Sequence, residues 1–198
     1  MNVKELNFES GVNPNEARDL IALGAGCFWC IEAVFQRLSG VLSVESGYSN
    51  GNFKNPCYRE VCMGNTGHVE VALIEYNPQI VSLAEILEVF WLTHDPTTLN
   101  KQGYDKGTQY RSGIYYQNQY QKQIAEKSKL IANESGLWDL PIVTEIVELR
   151  DYSKAEEDHQ NFYNQNSQQP YCTFVVKPKV DKLHQLFKEK MKREYVNG

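Results

Sequence analysis

Residues 19–30, DLIALGAGCFWC, decide the fold. Asp19–Ala25 is a short, mostly apolar run and reads as a buried strand. Gly24-Ala25-Gly26 lets the backbone turn sharply. Beyond it Phe28, Ile31, Val34, Phe35 and Leu38 recur at helical spacing, so a helix is predicted over 27–38, stopped by Ser39-Gly40. Cys27 then stands at a helix start, where free N–H groups and the dipole favour an anion. A thiol there is predicted to ionise below its ordinary pKa and to act as a nucleophile.

Outward from this segment, Val41–Tyr48 reads as a strand and 49–59 as a loop rich in Gly, Asn and Pro. His68–Tyr76 alternates as a strand. Ser82–Leu92 is a helix with a capping box, Ser82 and Glu85. A long polar loop, 93–111, leads to a strand over 112–116. A helix follows over 119–134, with Ile124, Leu130 and Ile131 inward, then a strand over 142–149. The pattern predicts helices over 154–163 and 180–192, the latter with a basic, solvated face. Some strands follow one another directly, as 41–48 and 68–76 do. That predicts a single-domain α+β layered sandwich, a mixed sheet flanked by helices with a ferredoxin-like core. Residues 1–18 read as a polar arm, and 19–198 as the catalytic domain.

The chain has 198 residues, 41% hydrophobic and 23% charged, so it can build a real core. A formal net charge of −5 argues against nucleic acid and anionic membranes, which need a basic face. The N-terminal stretch has no apolar core of a secretory signal, and no apolar run is long enough to span a membrane. A cytoplasmic protein is expected. In a reducing compartment five cysteines are not a disulfide framework, and their odd number fits one poorly. Three readings of the glycine–cysteine segment stay open. Gly24-x-Gly26 hints at dinucleotide binding, but Trp29 stands where a third glycine belongs. Cys27, Cys30, Cys57 and Cys62 have spacing permissible for a zinc site. Cys27-Phe28-Trp29-Cys30 after a strand reads as a dithiol redox motif.

Several motifs in register resemble the type A family of peptide methionine sulfoxide reductases. They are Gly26-Cys27-Phe28-Trp29, Asn55–Cys62 (NPCYREVC), Thr66–Val71 (TGHVEV), His94-Asp95-Pro96 and Asp105–Ser112 (DKGTQYRS). The resemblance runs from about residue 20 to 175. It implies reduction of the S epimer of methionine sulfoxide, free or in oxidised proteins, without a bound metal or cofactor. It implies Cys27 as the thiol that attacks the sulfoxide sulfur and Glu70 as the acid that protonates its oxygen. An acid of that kind needs a pKa raised by burial. Tyr58 and Tyr110 match hydroxyls that hold the same oxygen, Phe28 and Trp29 an apolar pocket for the S-methyl, and Asp105 a carboxylate that orients the substrate main chain.

Attack leaves Cys27 as a sulfenic acid, which a second thiol can condense to a disulfide. Cys172, in a polar and flexible-looking stretch, aligns with a resolving cysteine of the family. Cys30 stands where glycine is common and is the alternative. An i, i+3 pair in a regular helix needs the first turn to distort before it can bridge. Cys57 can resolve or simply pack, and Cys62 is expected to be buried. The tail after Cys172 has no further cysteine, so a two-stage relay through it is not expected. Thioredoxin or another dithiol is the implied reductant, and a monomer the expected state. His68 and His94 are assigned structural roles, and His159 and His184 surface or packing ones.

Overall fold

The computed structural model describes residues 18–196. The arm predicted over 1–18 therefore lies outside the described residues, save Arg18, which pairs with Glu75 at 3.1 Å. In chain order the elements begin β1 (Asp19–Gly24), α1 (Phe28–Phe35), β2 (Val41–Ser49), α2 (Tyr58–Cys62), β3 (Val69–Tyr76) and α3 (Leu83–Thr93). A two-stranded hairpin, β4 (Lys101–Gln102) and β5 (Asp105–Lys106), and a 3-10 turn at Thr108–Tyr110 fill most of the polar loop. Then come β6 (Gly113–Tyr116), α4 (Gln119–Glu134), β7 (Glu145–Glu148), β8 (Ser153–Lys154) and α5 (Phe162–Asn166). A π-helical turn, Cys172–Val176, runs directly into α6 (Lys177–Phe187), and α7 (Arg193–Val196) ends the described chain.

The main sheet has the order β7-β6-β1-β3-β2-β8. Its centre, β6-β1-β3-β2, is antiparallel throughout, with α1 between β1 and β2 and α3 between β3 and β6. That is the ferredoxin-like arrangement, and the parallel pair β6–β7 makes the whole sheet mixed. The principal core lies between the sheet and α1, α3, α4 and α6. It includes Ile21, Leu23, Ile31, Phe35, Leu87, Phe90, Leu183 and Phe187, all buried. Each such side chain stabilises the fold by about 1.5–3 kcal/mol on leaving water. The capping box at Ser82 forms as its spacing requires, with Ser82 Oγ accepting from the Glu85 N–H. Leu130 faces solvent instead of the core, where Gln121, Ile124, Ala125 and Ala132 fill the inner face of α4.

The C-terminal third departs from expectation. A helix over 154–163 does not form, because side chains and backbone there bond to other elements. The Ala155 N–H and the Gln160 side chain bond the backbone of Ser46 in β2. Asn161 then adopts a left-handed conformation, φ 52°, which blocks helix propagation before α5. The helix expected from residue 180 begins earlier, in the π-helical turn at Cys172. Cys172, expected on a mobile polar stretch, is fully buried.

Candidate active site

β1 ends at the turn that sets Cys27. Gly26 has φ +85°, and a Cβ there would meet the Gln102 side chain at 2.6 Å, so both conformation and space require glycine. Cys27 is not the first helical residue. It is the N-cap of α1, with ψ 128°, and is 7% exposed. Phe28, Trp29 and Cys30 follow in the first turn of α1.

Glu70 is brought to this turn by β3, opposite Tyr48 of β2. Its Oε2 accepts the Phe28 N–H at 3.0 Å, so the carboxyl is tied to the residue next to the thiol. Burial lifts the Glu70 carboxyl to about 8; the Phe28 bond opposes the rise, and the charges of Asp105 and Cys30 reinforce it. The carboxyl is therefore neutral and proton-bearing at pH 7. Tyr58, the first residue of α2, and Tyr110, from the 3-10 turn, close the same pocket and are half-buried. Burial raises both phenols, and the Glu70 charge adds to it, so each keeps its proton. The Tyr58 hydroxyl bonds the Cys62 sulfur.

Burial also overrides the effect of the helix start on Cys27. Its thiol is pushed well above the ordinary value, first by desolvation, then by its hydrogen bond with Cys30 and the nearby Glu70 charge. The expectation of a lowered pKa is thus corrected: the surroundings of a closed pocket outweigh a few free N–H groups. Cys30 goes the other way, down to about 7, through its bond with Cys27 and, against the opposing effect of burial, the adjacent Lys179 ammonium.

The aromatic side of the pocket is covered by the chain's C-terminal part. The Phe162 ring stacks on Trp29 at 3.7 Å between centroids and 7° between planes. His159 packs against Trp29, Phe28 and Tyr58. Tyr171 donates its hydroxyl to Asp105 Oδ2 at 2.6 Å and also reaches the Cys27 sulfur. Glu156 accepts the Tyr48 hydroxyl at 2.9 Å and the Tyr58 N–H at 2.8 Å, fastening the segment to β2 and α2. Glu32, on α1, accepts the Asn161 N–H at 2.8 Å; its burial lifts the carboxyl to about 7.

A family model, "Peptide methionine sulfoxide reductase", matches residues 19–191. The chain belongs to the peptide methionine sulfoxide reductase family. A relative from Trichodesmium erythraeum (strain IMS101), "Peptide methionine sulfoxide reductase MsrA", is 51% identical over 173 residues, 87% of this chain and 98% of that protein. Among solved structures, reduced Mxr1 from Saccharomyces cerevisiae is similar at a TM-score of 0.73 and 35% identity, over 79% of this chain and 90% of that one. Mxr1 in complex with Trx2 matches at a TM-score of 0.52 and 22% identity, over 78% and 91%, and bears on the fold.

The site residues suggested by the resemblance to this family come together here: Cys27, Phe28, Trp29, Tyr58, Glu70 and Tyr110 share one pocket, and Asp105 joins it through Tyr171. Cys172 and Cys30 lie in the same buried cluster. Cys57 does not: it is exposed and serves as N-cap of α2. Cys62, expected to be buried, is also exposed, since α2 is a short surface helix. The four cysteines do not converge, and among the described residues no group of three or more His, Cys, Asp or Glu is placed to hold a metal. Each of His68 and His94 bonds a backbone carbonyl, at 2.6 Å. Sequence reasoning missed Tyr171, Phe162, Glu156 and Lys179, and gave His159 no part in the pocket. For Phe162 and Tyr171 the one local signal is the density of aromatic residues in an otherwise polar stretch, 159–171; Glu156 and Lys179 carry none.

Proposed function

We propose that the protein reduces the S epimer of methionine sulfoxide, free or in oxidised proteins, to methionine. The observation that carries the reading is a neutral, proton-bearing Glu70 bonded to the amide beside Cys27, inside an aromatic pocket. A sulfoxide has an electron-poor sulfur and a basic oxygen. Cys27 passes its proton along its hydrogen bond to the Cys30 sulfur, and its own sulfur attacks the sulfoxide sulfur to form a transient S–S bond. Glu70 protonates the oxygen, which Tyr58 and Tyr110 hold by hydrogen bonds. Phe28 and Trp29 receive the methyl group, and Asp105 orients the main chain. The oxygen then passes from the substrate sulfur to the Cys27 sulfur: a Cys27 S–O bond forms, the substrate S–O bond and the transient S–S bond break, the thioether departs, and Cys27 is left as a sulfenic acid. The balance is sulfoxide plus thiol going to thioether plus sulfenic acid.

A resolving thiol then forms a disulfide and releases water, and Cys172 belongs to the disulfide presented to the reductant. An external dithiol restores both thiols by exchange. Thioredoxin suits this step, and the yeast relative's complex with Trx2 favours it. No resident cofactor is needed for these steps. A reducing, cytoplasmic setting suits a chain that works through free thiols, and the proposed state is a monomer. Methionine release from each sulfoxide epimer, with thioredoxin as reductant, tests the reading. Turnover of the S epimer that stops in Cys27→Ser supports it; turnover that survives the substitution overturns it.

A further inference from the structure

Three of the five cysteines share one buried cluster, and their order within it is informative. Because Cys27 is an extended N-cap, the pair Cys27–Cys30 is not a regular i, i+3 helical pair. The Cys30 N–H donates to the Cys27 carbonyl at 3.1 Å, which folds the turn and sets the two sulfurs within hydrogen-bond reach. No helical turn has to unwind before they can approach. Cys172 is fully buried in the same cluster and close enough to feel the Cys30 charge. Cys30 is thus a thiol in reach of both the attacking thiol and the tail cysteine.

A charged partner accompanies it. Lys179 of α6 hydrogen-bonds the Cys30 sulfur, and the two residues line one small cleft with Ala25 and His94. The other polar groups around Cys30 are Asp105, Glu70 and Tyr171. Glu70 and Tyr171 keep their protons, and buried His94, lowered to about 3, is neutral. Lys179 is therefore the cation of this group.

We propose that Cys30, paired with Lys179, is an intermediate thiol that takes the disulfide from Cys27 and passes it to Cys172. This rests on the reductase reading above. In the first step the Cys30 thiolate attacks the Cys27 sulfenic sulfur; a Cys27–Cys30 bond forms, the S–O bond breaks, and hydroxide leaves as water after taking one proton. In the second step the Cys172 thiolate attacks the Cys30 sulfur. A Cys30–Cys172 bond forms, the Cys27–Cys30 bond breaks, and Cys27 departs as a thiolate. No electrons are gained or lost by the protein in this exchange. The disulfide moves from the substrate pocket to the tail, and Cys27 is freed before any outside reductant arrives. Lys179 is a positioning residue, holding Cys30 in its reactive form.

The test is a single turnover of S-methionine sulfoxide without reductant. It is acid-quenched at intervals, the methionine burst is measured, and the disulfides are mapped by mass spectrometry. A Cys27–Cys30 bridge that appears first and gives way to Cys30–Cys172 is expected. Cys172→Ser should stop at Cys27–Cys30, and Cys30→Ser should accumulate a sulfenic acid that dimedone traps. Lys179→Met should slow the first bridge about three- to tenfold at pH 7 and move its pH profile upward by up to about one unit, with Lys179→Arg restoring it. A Cys27–Cys172 bridge forming first, or at the wild-type rate in Cys30→Ser, overturns the relay, and so does an unmoved profile in Lys179→Met. A methionine burst with the wrong bridge condemns the relay alone. The absence of any burst in the wild-type protein condemns the reductase reading and the relay together.

Discussion

The sheet-and-helix body, residues 19–149, and the segment that follows it, residues 152–171, fold by different means. The body is held by apolar faces: β3 buried along most of its length, and helical spacing in α1 and α3. The segment has little regular structure. It is held by individual bonds to distant residues: Glu156 to Tyr48 and Tyr58, Gln160 to Ser46, Asn161 to Glu32, Tyr171 to Asp105. Cys27 and Glu70 belong to the body, while the groups covering them belong to the segment. The candidate site residues thus sit on the part of the molecule fixed by cooperative packing, and the part that covers them is fixed by a few separable contacts.

Substitutions in the two regions should therefore differ in kind. The largest effect is expected in the body: Glu70→Gln should lower kcat by about 10²–10⁴-fold, as for loss of a general acid, measured by methionine release. Wild-type kcat should fall as pH rises through about 8, where Glu70 ionises, and the variant should lose that alkaline limb. Equal damage from a segment contact would break the distinction.

Phe162→Ala removes the ring over Trp29 and should destabilise the protein by about 1–3 kcal/mol, read from the denaturant midpoint. Limited proteolysis should then cut within 155–171 before any site in the body. Cleavage in the body first would count against two separately held regions.

A smaller effect is expected at their junction. The Glu32 carboxyl is raised to about 7 by burial, so the folded state binds a proton that the unfolded state releases near the ordinary value of 4.5. Stability from this group is complete below about 4.5 and declines as pH rises through about 7. Glu32→Gln keeps an acceptor for Asn161 and should flatten that decline in melting temperature against pH. A parallel decline in both proteins would refute it.

The smallest effect is expected at Cys57→Ser. Serine is a favourable N-cap and Cys57 lies outside the buried thiol cluster, so stability should move by less than about 0.5 kcal/mol and methionine release should persist.

The same division explains what the sequence disclosed. β1, α1, β3 and α3 carry their own periodicity, so their existence, and with it the ferredoxin-like arrangement, was readable from the residues. The pocket positions in the body were readable from motifs. Local patterns say nothing about where Phe162 or Tyr171 will land, because their partners lie 133 and 66 residues away. The Cys27 shift runs against the local expectation for a related reason: the helix start is local, whereas the burial that outweighs it arises only when the pocket is assembled.

The bond between Tyr171 and Asp105 has a consequence for recognition. A substrate amide that uses Asp105 must first displace a phenol already seated on the carboxylate, so the tail acts as a tethered competitor. Every 1.4 kcal/mol holding the phenol in place weakens apparent substrate affinity about tenfold, because only the displaced fraction is competent to bind. Tyr171→Phe would lower that threshold, and the sulfoxides to gain most would be small, weakly binding ones such as the free amino acid.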